Sequence, residues 1–298
     1  MRWTVWASFV ALCVLSGSSW VVPPAMADGL PSLEEQGLLF GVIGLTALLF
    51  SGRGMWADRA GLQLVRTGGA AIALFGLPIV VVEYAGASVS SITRSALFAM
   101  VPVGVGLVVA AGNAGTREER GARRFLMPAL VGLGGLLLLL PLQFSGSPRE
   151  RVMLALVCAA VVLVGFASVW LHRLLGEACL SQAIAVVGIA NAVFLFVWSA
   201  VHEDMVWQWR GLVSVVSISS GVDLLEVVMI VWLLRVMEPI RFAARYLVIP
   251  MVTILESFVL VRPQITVRIG FGTALLVAGA GILLFLRDGE EETVLSLR

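Results

Sequence analysis

Long apolar runs fill most of this 298-residue chain. Each is about the 20 residues that a helix needs to cross roughly 30 Å of hydrocarbon. The chain is 59% hydrophobic and 13% charged, whereas about a quarter of the residues in a soluble domain are charged. The sequence therefore predicts an all-α, polytopic membrane protein with ten transmembrane helices. The ten runs are 3–22, 33–51, 67–87, 91–111, 125–144, 152–171, 179–201, 211–234, 242–261 and 265–285.

The last two runs have a loose copy in the first half of the chain. Pro102 stands where Pro250 stands, and the spacing of Arg124, Pro128 and Gly135 returns in Arg268, Gly272 and Gly279. This repeat predicts two five-helix units, residues 1–146 and 147–298. Because five is odd, the second unit has to run inverted to the first. Inverted repeats are a transporter architecture, with the site near the middle of the membrane between the two units.

Glycines and prolines in these copies have predicted structural roles. Gly135, Gly272 and Gly279 let a neighbouring backbone approach closely. Pro102 and Pro250 each free a backbone carbonyl one turn earlier. Their equivalent places in the two halves favour broken helices that line a substrate path, and simple kinks are the alternative.

The arginines predict the orientation of the chain. Most of them, including Arg241 and Arg245, fall in segments that are cytoplasmic if both termini are cytoplasmic, as the positive-inside rule requires. We expect a multi-pass protein of the inner or plasma membrane. Residues 1–27 resemble a cleavable secretory signal, but the first run exceeds the usual core of about 7–15 residues. Its removal would also leave the repeat one helix short, so we expect it to be retained, with cleavage as the alternative.

Acidic residues inside the apolar runs are the main candidates for chemistry. A charge in the membrane is costly and usually faces a cavity or a partner. Asp223 and Glu226 lie one turn apart on the same face of the eighth helix, and Glu256 lies in the ninth. Two carboxylates this close in a low-dielectric cavity disfavour simultaneous ionisation, which suits proton-coupled transport. The alternative is structural, with one acid bonded to a neighbouring helix and the other paired with an arginine.

Other residues have weaker predicted roles near this cavity. Trp20, Tyr84 and Trp232 are predicted to supply aromatic walls. Glu83 and Arg94, near the outer ends of adjacent helices, are predicted to form a structural ion pair at the rim.

Several function classes are excluded or disfavoured. A formal net charge of +1 gives no case for nucleic acid. The three cysteines lack metal-ligand spacing, both histidines lie at helix ends or in loops, and no nucleotide-binding motif occurs. We therefore expect no cofactor, no metal and no enzymatic activity. A membrane-embedded enzyme that uses two carboxyls, or a scaffold subunit without a substrate path, is the alternative.

The whole chain resembles the EamA-like transporters of the drug/metabolite transporter superfamily. The resembling features are residues 17–20 (Gly-Ser-Ser-Trp), Pro102, Pro250, Gly272 and Gly279. The resemblance implies two inverted five-helix repeats, cytoplasmic termini, and export or exchange of small metabolites such as amino acids through a central cavity. The chain departs from the family at residues 113–115 and 261–263, where members often have a Gly-Glu pair.

We expect a secondary transporter that moves a small polar or amphipathic metabolite, amino-acid-like or drug-like, by alternating access. Asp223, Glu226 and Glu256 would handle a proton or a cationic group of the substrate. The expected partners are this small molecule, the lipid bilayer and, as one option, protons. The chain would act as a monomer or a homodimer.

Overall fold

The computed structural model describes residues 3–18, 32–51, 61–112, 117–140, 146–176, 178–202, 218–260 and 266–285. Helices make up nearly all of this described part, and no strand occurs in it. The prediction of an all-α fold is confirmed. The helices are α1 (Trp3–Gly17), α2 (Ser32–Phe50), α3 (Gly61–Ala71), α4 (Leu77–Gly86), α5 (Ser91–Phe98), α6 (Val101–Gly112), α7 (Arg117–Leu139), α8 (Pro148–Leu175), α9 (Leu180–His202), α10 (Ile218–Val236), α11 (Pro239–Ala243), α12 (Arg245–Leu260) and α13 (Val267–Phe285).

Six helical stretches in the described part are long and apolar enough to cross a membrane, and they are Leu33–Phe50, Gly61–Gly86, Ile92–Gly112, Pro148–Leu175, Leu180–His202 and Val267–Phe285. Shorter apolar helices occur at Trp3–Gly17 and Arg124–Leu139. Many large apolar side chains point outward, such as Leu49 at 84% and Phe271 at 61% exposure. Such apolar outer faces are typical of contact with lipid rather than water, in agreement with the prediction of a membrane protein.

Two of the predicted apolar runs, 91–111 and 242–261, are each divided into two helices in the structure. A turn at residues 99–100 separates α5 from α6, and Pro102 is the second residue of α6. Ala244 separates α11 from α12, and Pro250 lies inside α12. The second interruption therefore precedes its proline by more than a turn. A single π-helical turn, Ile72–Gly76, joins α3 to α4 without a break.

Glycines determine how closely the helices pack. The helices α2 and α9 cross where Gly44 meets Gly188, and a Cβ atom on Gly188 would lie 2.6 Å from the Cα atom of Gly44. The helices α7 and α13 cross in the same way. A Cβ atom on Gly135 would lie 2.5 Å from the Leu276 backbone nitrogen and 2.6 Å from the Gly272 carbonyl oxygen. Gly279 meets the backbone of Gly132 at this crossing. Any side chain larger than hydrogen would force these helices apart.

The helix α1 packs against α10 and α12, and α8 packs against α3, α4 and α6. The buried core is almost wholly apolar, with a few polar exceptions that include Glu34, Asn191 and Arg245. These exceptions matter because a buried polar group without a partner costs free energy.

Candidate functional site

The last turn of α1 binds side chains from two helices of the second half. The Ser16 hydroxyl donates a hydrogen bond to Glu226 of α10. The Ser18 hydroxyl donates one to Glu256 of α12. Between them, the carbonyl oxygen of Gly17 accepts a hydrogen bond of 3.0 Å from the Thr253 hydroxyl. Residues 16–18 thus hold both predicted intramembrane glutamates against one helix end.

Gly17 makes this approach sterically feasible. It is buried, and a Cβ atom built on it would lie 2.7 Å from Cγ1 of Val252. With a side chain here, α12 would have to move away from α1, and the hydrogen bond from Thr253 would lengthen. Gly17 and Ser18 belong to the 17–20 segment that carries the family resemblance. Trp20, in the same segment, lies outside the described residues.

Acidic residues from α2 and α10 gather beside this helix end. Glu226 is half-buried and Asp223 is exposed, and their two charges are close enough to interact. The charge of Glu35, in the first turn of α2, interacts with that of Asp223. Its neighbour Glu34 is 3% exposed, and its Oε2 atom has no hydrogen-bond partner among the described residues. The acidic group therefore includes residues of both halves of the chain.

Glu34 and Glu35 were not singled out from the sequence. They stand at the start of the second apolar run, where acids usually serve the helix N-terminus. Only the proximity of Glu35 to Asp223, which is remote in sequence, connects this pair with the site.

Arg245, the first residue of α12, lies in the core of the bundle. It is 5% exposed, and the carbon of its guanidinium group lies 3.8 Å from the centroid of the Phe242 ring. Its Nη2 atom donates a 3.0 Å hydrogen bond to the Tyr246 hydroxyl. Its Nη1 atom has no hydrogen-bond partner among the described residues. Arg245 was assigned from the sequence to a cytoplasmic segment, and the structure adds that it is buried at the first residue of α12.

The charges of Arg245 and Glu226 are close enough to interact, and Cys13 lies within range of both. Cys13, Ser16 and Ser18 follow one another along α1, and they span about 7.5 Å at 1.5 Å per residue. Along this length α1 passes first the arginine, then Glu226, then Glu256. The site is therefore a polar column, with a cation at one end and carboxyl groups at the other.

The predicted aromatic walls are not all at this column. Trp232 is half-buried on α10, two turns beyond Glu226. Tyr84 is 38% exposed at the end of α4, and its hydroxyl is 3.4 Å from the indole nitrogen of Trp198. Its ring also packs edge-on against His202. Tyr84 thus belongs to an aromatic cluster at the end of α9.

The Arg94 guanidinium has a different partner from the predicted one. Its Nη1 atom donates a 2.6 Å hydrogen bond to the Val82 carbonyl oxygen. The Glu83 side chain is exposed, and no ion pair joins it to Arg94 in the part of the chain that the structure describes. Arg94 holds the end of α4 against α5 through the backbone instead.

The described residues contain no group of three or more His, Cys, Asp or Glu side chains that could hold a metal ion. The polar side chains of the column can form hydrogen bonds, pair charges and exchange protons at carboxyl groups. Polar and ionisable groups of this kind inside a membrane bundle are typical of a path for an ion or a polar solute.

A protein of known crystal structure has the same overall fold. Its TM-score against this chain is 0.71 at 18% sequence identity, and the alignment covers 96% of this chain and 100% of the other. At this identity the likeness concerns the fold alone. No family model and no curated protein matches the sequence.

Proposed function

We propose that this chain is a secondary transporter that moves a small polar or amphipathic metabolite across the inner or plasma membrane by alternating access. The observation that carries the proposal is the polar column, which both halves of the chain build inside an apolar bundle. Ser16, Ser18 and Glu35 come from the first half, and Glu226 and Glu256 from the second. In transporters with internal repeats, the substrate and coupling-ion sites lie at such a junction.

The helix crossings support two inverted five-helix repeats, 1–146 and 147–298. Gly188 follows Gly44 by 144 positions (188 minus 44), and these two glycines contact each other. A two-fold axis through the crossing would exchange them. Inverted repeats related by an axis in the membrane plane produce such self-contacts.

The second glycine crossing has the same symmetry. Gly135 contacts Leu276, and Gly279 contacts Gly132. An offset of 144 positions maps one pair onto the other, because it takes Gly135 to Gly279 (279 minus 135) and Gly132 to Leu276 (276 minus 132). The offset of 144 positions also relates two sets of helix contacts. The packing of α1 on α10 and α12 corresponds to the packing of α8 on α3, α4 and α6.

The two broken helices meet close to the same axis. The ring of Phe98, the last residue of α5, stacks on that of Tyr246, the second residue of α12, with 6.3 Å between the centroids. Their offset of 148 positions (246 minus 98) equals that of Pro102 and Pro250. The full arrangement is ten helices with both termini cytoplasmic, similar to the EamA-like transporters, in a monomer or a homodimer.

The hydrogen bonds of Ser18 suggest how the column handles a proton. Its hydroxyl has one proton and two acceptors, the Val14 carbonyl oxygen at 2.7 Å and the Glu256 carboxylate. When Glu256 is ionised, Ser18 donates to it. When Glu256 is protonated, the acid donates to Ser18, which donates to Val14. Ser18 and Glu256 therefore remain hydrogen-bonded to each other in both protonation states. Because this bond is kept, a proton can enter or leave at a small cost in hydrogen bonding.

Transport by reconstituted vesicles tests this function. We expect the purified protein to move at least one member of a panel of radiolabelled amino acids and lipophilic cations faster than protein-free vesicles do. Glu226→Gln and Glu256→Gln should lower this rate or remove its dependence on pH, because neither amide exchanges a proton. Glu83→Gln, at an exposed site outside the column, is the matched control and should leave the rate unchanged. If no member of the panel crosses faster than in protein-free vesicles, the transport function is wrong.

A further inference from the structure

The guanidinium group of Arg245 has hydrogen-bonding capacity that none of the described residues uses. The residue is 5% exposed, yet its Nη1 atom has no hydrogen-bond partner among the described residues. Leaving a donor of a buried charged group unpaired is more costly than leaving a neutral one. Phe242 and Tyr246 place their rings 3.8 Å and 4.7 Å from the guanidinium carbon. These rings fix its plane but offer no acceptor to Nη1.

The packing of the fold does not require a cation here. With the offset of 148 positions shared by Phe98 and Tyr246, the residue equivalent to Arg245 is Leu97 (245 minus 148). Leu97 is half-buried and packs against the apolar core. An apolar side chain therefore fills the corresponding place in the first half. The arginine is an asymmetric addition to a symmetric framework, as expected of a binding group rather than a packing group.

We propose that Arg245 binds the carboxylate of a transported monoanion, or of the anionic end of a zwitterion. The proposal rests on the transport function above and assigns its substrate an obligatory carboxylate. One oxygen would accept from Nη1, while Nη2 keeps its bond to the Tyr246 hydroxyl. A hydrogen bond between a guanidinium group and a carboxylate is among the stronger ones in proteins, and the apolar surroundings of Arg245 increase its strength.

The nearby acids select against more highly charged anions. Glu226 interacts electrostatically with Arg245, and Asp223 interacts with Glu226. A dianion such as a phosphate monoester would meet these carboxyl groups in the same low-dielectric region, whereas a single negative charge is compensated by the arginine alone. The Glu226 carboxylate and the carboxylate of the substrate compete for one guanidinium group. Protonation of Glu226 ends this competition, which would couple the proton of the column to the anion.

The test compares each carboxylate with the carboxamide of the same shape, which lacks the negative charge. Binding to the purified full-length protein is measured by calorimetry and thermal shift for three pairs: propionate with propionamide, phenylacetate with phenylacetamide, and phenylalanine with phenylalaninamide. We expect at least one carboxylate to bind roughly tenfold to a hundredfold more tightly than its carboxamide, the range of one charge-assisted hydrogen bond. This comparison uses the unmodified protein and does not depend on how any variant folds. Equal binding within every pair, or no saturable binding at all, overturns the proposal.

Substitution of Arg245 then assigns the preference to this residue. Arg245→Leu copies the residue at the equivalent place in the first half and should abolish the preference for the carboxylate. Arg245→Lys keeps the charge and should retain part of it, because lysine lacks the planar fork of the guanidinium group. A preference that survives in a folded Arg245→Leu protein overturns the role of Arg245.

The two proposals fail in distinguishable ways. If carboxylates bind selectively but no vesicle moves them, the transport function is wrong and the binding site stands. If vesicles move members of the panel without regard to a carboxylate, the function stands and the assignment of Arg245 is wrong.

Discussion

The hydroxyl of Ser18, the residue directly after α1, donates a hydrogen bond to the Glu256 carboxylate of α12, 238 positions later in the chain. One residue before it, the Gly17 carbonyl oxygen accepts from Thr253, also on α12. Both contacts join the beginning of the chain to its penultimate long helix, and both involve polar atoms within an apolar bundle. The end of α1 therefore connects the two halves of the chain, and it binds the carboxyl group to which we assign the proton in the proposed transport function.

Removing this hydroxyl should affect function more than stability. We expect Ser18→Ala to lower the free energy of unfolding by about 1–3 kcal/mol, the range that covers a hydrogen bond to a neutral or an ionised carboxyl group. The pH dependence of transport should shift, since Glu256 loses the group that bonds it in both protonation states. Unfolding in detergent and vesicle transport across a pH series measure the two effects. Thr46→Ala is the control, because its hydroxyl bonds only to carbonyl oxygens of its own helix. An unchanged pH profile in Ser18→Ala would count against the proton role of Glu256.

The glycine crossing of α7 and α13 allows a test with neighbouring residues of the same helix. Gly135→Ala should destabilise the protein by about 1–3 kcal/mol or more, the cost of overpacking, since its Cβ atom would lie 2.5 Å from the Leu276 backbone nitrogen. Gly134→Ala, one residue earlier, has nothing within 4 Å of the added atom. It should be neutral or stabilising, because alanine favours the helix by about 1 kcal/mol.

The same comparison applies to α13, where Gly279→Ala should destabilise and Gly281→Ala should not, because the added atom at Gly281 meets nothing within 4 Å. Thermal unfolding of all four variants in one detergent gives the result. Similar unfolding temperatures for Gly135→Ala and Gly134→Ala would mean that α7 and α13 are not in backbone contact.

The helical class and most of the helix positions could be predicted from the sequence, since each apolar run must satisfy its backbone hydrogen bonds internally in a membrane. The run at 33–51 corresponds to Ser32–Phe50, and that at 265–285 to Val267–Phe285. The start of α8 was placed late, at 152. The Ser147 hydroxyl accepts a hydrogen bond of 3.1 Å from the Glu150 backbone N–H. The Glu150 carboxylate in turn accepts one of 2.7 Å from the Gly146 backbone N–H. This is a capping-box pattern, and it is visible in the sequence.

The site was less predictable, because it depends on contacts between distant segments. Glu226 and Glu256 could be singled out as costly charges in apolar runs, and Ser18 as part of the 17–20 segment, but the pairing of these acids with serines of α1 could not be predicted. Arg245 resembles an ordinary flanking charge in sequence. It is buried directly after a break at Ala244, which no glycine or proline marks at that position. The length and the apolar composition of the runs predict which residues are in the membrane. The packing of the helices decides which of these residues contact each other.

Substitutions of Arg94 and Glu83 test which contact stabilises the packing of α4 against α5. Arg94→Gln should destabilise the protein by about 1.5–3 kcal/mol, the range for a hydrogen bond to a charged group, because it removes the 2.6 Å bond to the Val82 carbonyl oxygen. Glu83→Gln should change the stability little, since that side chain is exposed. Thermal unfolding of both single variants and of the double variant measures the coupling. Equal losses in the two single variants, with no further loss in the double, would instead support an ion pair.

The proposed orientation makes a prediction about reagent access from the two sides of the membrane. With both termini cytoplasmic, Ser147 before α8 faces outward, and Gly176 after α8 faces the cytoplasm, because one helix of 28 residues separates them. In a background with Cys13, Cys158 and Cys179 replaced by alanine, Ser147→Cys should react with a membrane-impermeant maleimide on intact cells. Gly176→Cys should react only after the membrane is permeabilised. The reverse pattern would mean that the protein has the opposite orientation in the membrane. The end of the polar column that holds the acidic side chains would then lie on the cytoplasmic side. Reaction of both positions on intact cells would mean that α8 does not cross the membrane. This outcome would contradict the inverted-repeat arrangement, in which α8 has to cross.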